Sequence, residues 1–166
     1  MSRPLVLTVA VAIAALLAAP AVAVAQPAAF KPCPFTPAEL QAALGVSFAA
    51  GTSRPPLEAG TLKMHSCRYE SKNYTLQVTS QVYANPADAR KATMILAGTL
   101  VPIPRDPDGA VYQEGQGDNT DPAVHYARNG VATELRVMGL YYTDRSKKTA
   151  AMVALREKLA RLRRVP

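Results

Sequence analysis

The sequence lacks most features that would place it in a specialised class of protein. Two cysteines in 166 residues are too few for a disulfide-dense miniprotein, and nine scattered glycines exclude a collagen-like repeat. There is no low-complexity tract, and a hydrophobic content of 49% excludes a disordered polymer. The composition does not match a coiled coil either, and the length suits one domain with a single hydrophobic core.

Only one long apolar run is present, and it lies near the start of the sequence. Residues 5–19 form this run, which one threonine interrupts, after a basic residue and before a proline. Its length of about 15 residues is short of the roughly 20 that span a bilayer. Together with the small residues at 23–25, the pattern is typical of a secretory signal peptide. We therefore expect residues 1–25 to be cleaved and residues 26–166 to form a mature domain, periplasmic or secreted, without a transmembrane anchor.

The two cysteines predict a disulfide. Cys33 and Cys67 are the only cysteines of a chain that we expect in an oxidising compartment, and an even number there indicates pairing. A zinc site is the alternative, but two cysteines without a Cys-x-x-Cys pair are a poor ligand set. Neither cysteine directly follows Ala25, so the lipid attachment of a lipoprotein is not expected.

The first element of the mature chain has clear start and stop signals. Thr36, Pro37 and Glu39 stand at the N-cap, N1 and N3 positions of a helix, which is the pattern of a capping box. Gly45 suits the left-handed residue that ends a helix, so we expect a helix over about 37–44. Similar signals and apolar alternation predict strands over 61–70 (with a bulge) and 74–82, a helix over about 86–96, a loop over 101–109, strands over 110–113, 123–128 and 131–142, and a helix over about 146–164.

The element order α-β-β-α-β-β-β-α is dominated by hairpins. Asn129-Gly130 is the strongest signal for a two-residue hairpin turn, and local pairing of this kind favours an antiparallel sheet. We therefore predict an α+β domain, with an antiparallel sheet of four or five strands and helices packed on one face. The buried stripe expected for the second helix consists of Ala89, Ala92, Ile95 and Leu96.

The sequence contains only two histidines, His65 and His125, each in a predicted strand and opposite its clearest apolar face. Asp118 and Asp121 precede His125, so a small hydrolase with a His–Asp pair is one hypothesis. No serine lies in a recognisable nucleophile elbow, and an ordinary surface or cross-strand role for both histidines is the simpler interpretation. Enzymatic activity is therefore not expected, and no catalytic residue is assigned.

Acidic residues are concentrated in the stretch 106–121. Oxygen-rich loops of exported proteins can bind calcium, but this stretch lacks the spacing and the flanking helices of an EF-hand. Aspartates next to glycine or proline also form plain turns. We expect solvated turns and no metal or other cofactor, with calcium binding as the alternative. The residues concerned are Asp106, Asp108, Glu114, Asp118 and Asp121.

The final helix carries the net charge of the mature chain. Residues 26–166 hold eighteen basic and twelve acidic residues, and residues 144–166 hold eight and two, so the remainder is neutral. An apolar stripe of Met152, Leu155, Leu159 and Leu162 predicts packing on the sheet. The basic residues beside the stripe form either a solvated face or a surface that docks on anionic partners such as lipid headgroups, an envelope polymer or an acidic protein, whereas nucleic acid is not expected. They are Arg156, Lys158, Arg161, Arg163 and Arg164.

Two motifs resemble those of small actinobacterial cell-envelope proteins, many of them lipoproteins, whose function is uncharacterised. Cys33 directly precedes the capped helix, and Cys67-Arg68-Tyr69 has the Cys-x-Tyr pattern in a strand. The resemblance covers residues 33–142, implies the disulfide and the α+β fold, and carries over no catalytic residue. Unlike many members, this chain lacks a cysteine for lipid attachment.

Export, a single small domain and one disulfide are typical of a non-enzymatic binding module. We therefore predict an inhibitor, an immunity-type protein or an accessory envelope protein, with a protein partner in the envelope or outside the cell. A protein that docks on anionic envelope components through the final helix, and a small hydrolase using His125, are the two alternatives.

Overall fold

A computed structural model describes residues 30–96, 98–114, 121–139 and 145–165; of residues 114 and 145–149 only the backbone is described. The predicted signal peptide lies outside these residues. The α+β class is confirmed, and the described residues form three helices and eight strands: α1 (Pro37–Leu44), β1 (Thr52–Ser53), β2 (Leu57–Ala59), β3 (Leu62–Glu70), β4 (Thr75–Val82), α2 (Pro86–Met94), β5 (Thr99–Pro102), β6 (Val111–Glu114), β7 (Ala123–Arg128), β8 (Val131–Met138) and α3 (Arg145–Arg161).

All eight strands belong to one antiparallel sheet in the order β1-β3-β4-β8-β7-β6-β5, with β2 also paired to β3. The prediction of four or five strands is therefore wrong. The strands that it missed, β1, β2 and β5, have two to four residues, too few for apolar alternation to reveal. The predicted bulge in β3 is also wrong, because its pairing with β4 runs unbroken from Lys63 opposite Val82 to Glu70 opposite Thr75.

Helices pack on both faces of the sheet, not on one as predicted. On the first face α1 and α3 cover large apolar residues of the central strands, including Leu76, Val124 and Leu135. On the second face α2 packs with small residues, Ala89 against Ala127 and Ala132. β7 is buried on both faces because its side chains alternate between these two clusters.

The predicted limits of α1 are confirmed. The Thr36 side chain accepts a hydrogen bond from the Glu39 N–H, and the Glu39 carboxylate accepts one from the Thr36 N–H, which completes the capping box. Gly45 ends the helix with a φ of 74°, in the left-handed region that favours glycine. The Asn129-Gly130 hairpin is confirmed too, since both residues have the positive φ that a type I′ turn requires.

The second helix is shorter than predicted. It ends at Met94, and the side chain of Ile95 is 80% exposed instead of lying in the buried stripe. Ala89 is buried as expected, and Thr93 takes the buried position one turn further along. The neighbouring residues of the sheet, Ala127 and Ala132, are also small, so small side chains form this contact between α2 and the sheet.

The final helix packs on the core through the predicted stripe. Leu155, Leu159 and Leu162 are buried, and Met152 packs against them. The helix ends at Arg161, earlier than the predicted residue 164, and the chain then continues along the core to Val165, whose N–H donates to the Tyr126 hydroxyl. None of the described helices is long and apolar enough to cross a membrane.

The predicted disulfide is present and fastens the start of the domain to β3. Cys33 and Cys67 are joined, and the N–H of Phe35 donates to the buried hydroxyl of Tyr69 at 2.9 Å. The backbone of Gly51 crosses directly above this point. A Cβ atom there would lie 2.6 Å from Cε1 of Tyr69 and 2.7 Å from Sγ of Cys67.

We predict that Gly51→Ala destabilises the fold. Neither buried neighbour of Gly51 has room to move, so the added methyl group overpacks the site, and the free energy of unfolding should fall by about 1–3 kcal/mol. Urea denaturation measures the change. The control is Ala50→Ser at the adjacent exposed position, where a change within about 0.5 kcal/mol is expected. Equal stability of the two variants would contradict the crowding at Gly51.

Candidate functional site: the polar face of the sheet

Where α2 does not cover it, the second face of the sheet carries many polar side chains, with Met64 and Met138 among them. Thr75, Gln77, Thr79 and Gln81 alternate along β4, because the intervening residues face the hydrophobic core. Cross-strand pairing aligns them with polar residues of the neighbouring strands. We call this set the polar face: Arg68, Glu70, Thr75, Gln77, Thr79, Gln81, Gln113, His125, Glu134 and Arg136.

Side chains of the polar face are held by contacts with one another. Gln77 donates to the Thr79 hydroxyl at 3.2 Å, and Thr75 donates to Glu70 at 2.6 Å. Arg68 forms an ion pair with Glu70 at 3.0 Å. Since these partners lie on the same or the next strand, the sheet itself sets their positions, and most members of the polar face remain half-exposed.

Four of these residues form a closed ring across β6, β7 and β8. The guanidinium of Arg136 donates to Glu134 Oε1 through Nε and to Gln113 Oε1, at 2.8 Å, through a terminal nitrogen. His125 Nε2 lies 3.0 Å from the same Gln113 oxygen, and His125 Nδ1 lies 3.9 Å from Glu134 Oε2. The ring therefore contains one cation, one carboxylate, one amide and one imidazole.

The ring determines which nitrogen of His125 carries the proton. Arg136 can only donate, so the Gln113 atom that it contacts is the carbonyl oxygen, and this oxygen needs a donor from His125. The proton of the neutral imidazole is therefore on Nε2, and the lone pair of Nδ1 faces Glu134. Burial lowers the pKa of His125 below its ordinary value, Glu134 acts in the opposite direction, and Arg136 lowers it further.

A small cavity of about 50 Å³ lies beside His125, between the sheet and the end of α2. Its lining includes Glu134 and Thr79 from the sheet and Thr93 and Leu96 from the helix side. A space of this size admits one or two water molecules, not an organic substrate. Met94 and Ile95, at the end of α2, stand in the sequence between the lining residues Thr93 and Leu96. They are 60% and 80% exposed respectively.

The structure places His125 differently from the hydrolase hypothesis. Its side chain is buried, as the residue is 3% exposed, and its carboxylate neighbour is Glu134, which the sequence analysis did not single out. Asp118 lies outside the described residues, and Asp121 is half-buried before β7. The two-residue turn at Asn129-Gly130 was the signal that could have placed Glu134 opposite His125, whereas Gln113 could be found only from the pairing of β6 with β7. His65 lies on the core face, stacked on Phe30 at 4.4 Å between ring centroids, contrary to the prediction.

Two of the three basic side chains described in α3 contact the body of the protein. Lys158 donates to the Leu44 carbonyl at 3.1 Å, and Arg156 lies 4.5 Å above the ring of Tyr112. Arg161 is exposed and forms no ion pair with the described residues. Binding of an anionic surface by this helix stays a prediction.

The two arginines after α3 fasten the end of the chain. Arg163 pairs with Glu39 at 2.6 Å and donates to the carbonyl of Pro34. Hydrogen bonds from Arg163 and the Thr36 backbone lower the pKa of Glu39 from 4.5 to about 2. The capping box of α1 and the end of the chain therefore share one carboxylate.

Arg164 enters the acidic stretch in which calcium binding was the alternative. It pairs with Asp106 and lies 3.7 Å from Asp108. Burial raises the pKa of Asp106, but bonds from the Ala110 and Asp108 N–H groups and from Arg164 outweigh it, so the pKa is lowered overall. Among the described residues no three His, Cys, Asp or Glu side chains are grouped to hold a metal ion. Asp118 lies outside those residues, and the Glu114 side chain is not described.

No protein-family model matches the sequence, and no curated protein is significantly similar to it. The function is therefore inferred from the polar face and its surroundings.

We predict that His125 makes the fold less stable in mild acid. Its pKa is below the unfolded value of 6.5, so as the pH falls through this value the unfolded chain takes up a proton before the folded chain does, and stability decreases until the folded pKa is passed. Replacement by glutamine, which does not titrate, should flatten this part of the profile of unfolding free energy against pH. His65→Gln is the control, and an equal effect of both variants would refute the assignment.

We predict that Arg163→Gln lowers the free energy of unfolding by about 1 kcal/mol, whereas Arg161→Gln changes it by less than about 0.5 kcal/mol. The reason is that Arg163 alone of the two pairs with Glu39. Because the Glu39 pKa is lowered, this stabilisation is complete above pH 4.5 and is lost as the pH falls toward about 2. Denaturation of both variants across this range measures it. An Arg163 effect independent of pH would exclude Glu39 as its partner.

Proposed function

We propose that the protein is an exported, non-enzymatic binding module and that a protein partner docks on the polar face. The observation that carries the proposal is the array of half-exposed polar side chains held on the three longest strands, β3, β4 and β8. Side chains already held by neighbours lose little conformational freedom on binding, which reduces the entropic cost of forming a complex.

The margin of the polar face supplies apolar anchors. Met94 and Ile95 are among the most exposed large apolar residues of the described chain. They lie at the end of α2, next to the cavity beside His125. Exposed apolar side chains next to polar groups are typical of protein interfaces, in which a few apolar anchors contribute most of the affinity. We infer that the partner contacts Ile95 and the adjacent part of the polar face together.

Export is part of the proposal and is supported by two features. The segment 1–25 has the pattern of a signal peptide, and Cys33 is bonded to Cys67. Disulfides persist in secreted and periplasmic proteins and are rare in the reducing cytosol. The disulfide also stabilises the domain by about 3–4 kcal/mol in the chain-entropy estimate for a loop of this length.

Site-specific photocrosslinking tests the docking face. A photoreactive amino acid placed at Ile95 and, separately, at Gln77 should give an adduct of the same partner in the native envelope or medium, because both positions lie at the proposed interface. Leu57 is the matched control, an apolar residue 60% exposed on β2, which lies beyond β3 at the other edge of the sheet from β6 and β5.

Adducts at Leu57 equal to those at Ile95 would show unspecific contact and contradict the proposed face. Adducts formed only from positions on α3, such as Arg161, would instead support docking through the final helix. Ile95→Asp should abolish the adduct at Gln77, whereas Leu57→Asp should leave it, since Ile95 is proposed as an anchor and Leu57 is not.

A further inference from the structure

We propose that His125 makes the polar face sensitive to pH. In mild acid His125 takes up a proton, the charge of Arg136 is then less completely neutralised, and the polar face binds an acidic segment of its protein partner more tightly. This inference rests on the proposed function, because it assigns a regulation and a partner chemistry to the same surface.

The polar face is electrically balanced while His125 is neutral. Its charged members are two arginines and two glutamates, which form the ion pairs Arg68–Glu70 and Arg136–Glu134. Protonation of His125 therefore changes the net charge of the face from zero to plus one. Histidine is the side chain whose charge changes in mildly acidic surroundings.

The surroundings of His125 leave one place for a second proton. Nε2–H already donates to Gln113, so the proton must bind to Nδ1, which lies 3.9 Å from Glu134 Oε2. Among the described residues, Glu134 and Arg136, both on β8, are the charged groups that face the imidazole. The other elements around it contribute uncharged residues: Val111 and Gln113 from β6, Thr79 and Gln81 from β4, and Ala92, Thr93 and Leu96 from α2 and its end.

His125 and Arg136 share the carboxylate of Glu134, so a proton bound by the buried histidine affects the more exposed arginine. Glu134 Oε1 is bonded to Arg136, and its other oxygen faces His125, so after protonation a single carboxylate lies between two cations. The side chain of His125 is only 4% exposed, whereas that of Arg136 is 25% exposed. The uncompensated positive charge is therefore accessible to a partner at Arg136 and not at the histidine.

A carboxylate is the group that suits an incompletely neutralised guanidinium, because both are planar and bond through two parallel hydrogen bonds. We expect the added charge to tighten binding of an acidic segment by about three- to tenfold at low salt, the range expected for one unit charge near a protein surface. High salt should reduce the difference, since screening weakens interactions between exposed charges.

Nuclear magnetic resonance of the mature protein alone tests the sensing step. The side-chain Nε–H signal of Arg136 should shift with the same midpoint as the His125 ring, and this shift should be absent in His125→Gln. In Glu134→Gln the His125 midpoint should move to lower pH, because the carboxylate that faces Nδ1 is lost. An Arg136 signal that ignores the His125 titration, or backbone signals that show unfolding at the same midpoint, would overturn the proposal.

Binding of a defined probe tests the partner chemistry. Fluorescence anisotropy of a labelled hexaglutamate peptide at about pH 7.5 and about pH 5 should show tighter binding in acid for the wild type. His125→Gln should remove the difference in affinity between the two pH values, and Arg136→Gln should remove the binding gained in acid. The control is Lys31→Gln, at an exposed position far from the polar face in the sequence, which should bind as the wild type does at both pH values. The same gain in His125→Gln as in the wild type would overturn the proposal.

The two proposals can fail separately. Loss of specific photocrosslinks at Ile95 and Gln77 overturns the docking face whatever the pH response. Specific photocrosslinks with an unchanged Arg136 signal overturn the pH sensing and leave the docking face standing.

Discussion

The pairing of β4 with β8 is the interaction on which the rest of the structure depends. It joins two hairpins that are distant in the sequence, β3–β4 and β7–β8, along the whole length of β4. One face of the combined sheet then presents Leu76, Val78 and Leu135 to α1 and α3, and the other presents the polar face. A shift of one residue in this register would exchange the two faces, so burial of the apolar set determines where every polar side chain lies.

Both ends of the described chain are fastened to the same apolar face by buried tyrosines. The Tyr69 hydroxyl accepts the N–H of Phe35 near the disulfide, and the Tyr126 hydroxyl accepts the N–H of Val165. Burial raises the pKa of both tyrosines, so both hydroxyls stay neutral and accept these bonds over a wide pH range. The arginines next to Val165 strengthen this attachment by reaching two different acidic groups, Glu39 and Asp106.

The ring of His125 shows how a polar group is accommodated inside the sheet. A buried imidazole without a partner would destabilise the fold, but here it donates to Gln113, whose oxygen also serves Arg136. The same arrangement leaves Nδ1 unprotonated beside a carboxylate, which is the origin of the pH response. The same four side chains therefore satisfy the hydrogen bonds of the buried imidazole and make it responsive to pH.

Elements with local signals were predicted from the sequence. Thr36, Glu39 and Gly45 delimit α1, and Asn129-Gly130 forms the turn between β7 and β8. Hydrogen bonds and backbone angles within a few residues decide both features. The pairing of Cys33 with Cys67 and the buried stripe of α3 were also predictable, from the cysteine count and from helical periodicity.

Long-range packing decided the rest. The number of strands, the position of α2 on the second face and the meeting of His125 with Gln113 depend on pairing between distant segments, which no local pattern contains. The pairing of His125 with Glu134, in contrast, follows from the two-residue turn at Asn129-Gly130. The basic residues of α3 illustrate the same limit: the sequence determined their number and helical spacing, whereas only the folded chain brought Arg163 to Glu39 and Arg164 to Asp106. The physical reason is that these partners become neighbours only after the whole apolar face of the sheet is buried.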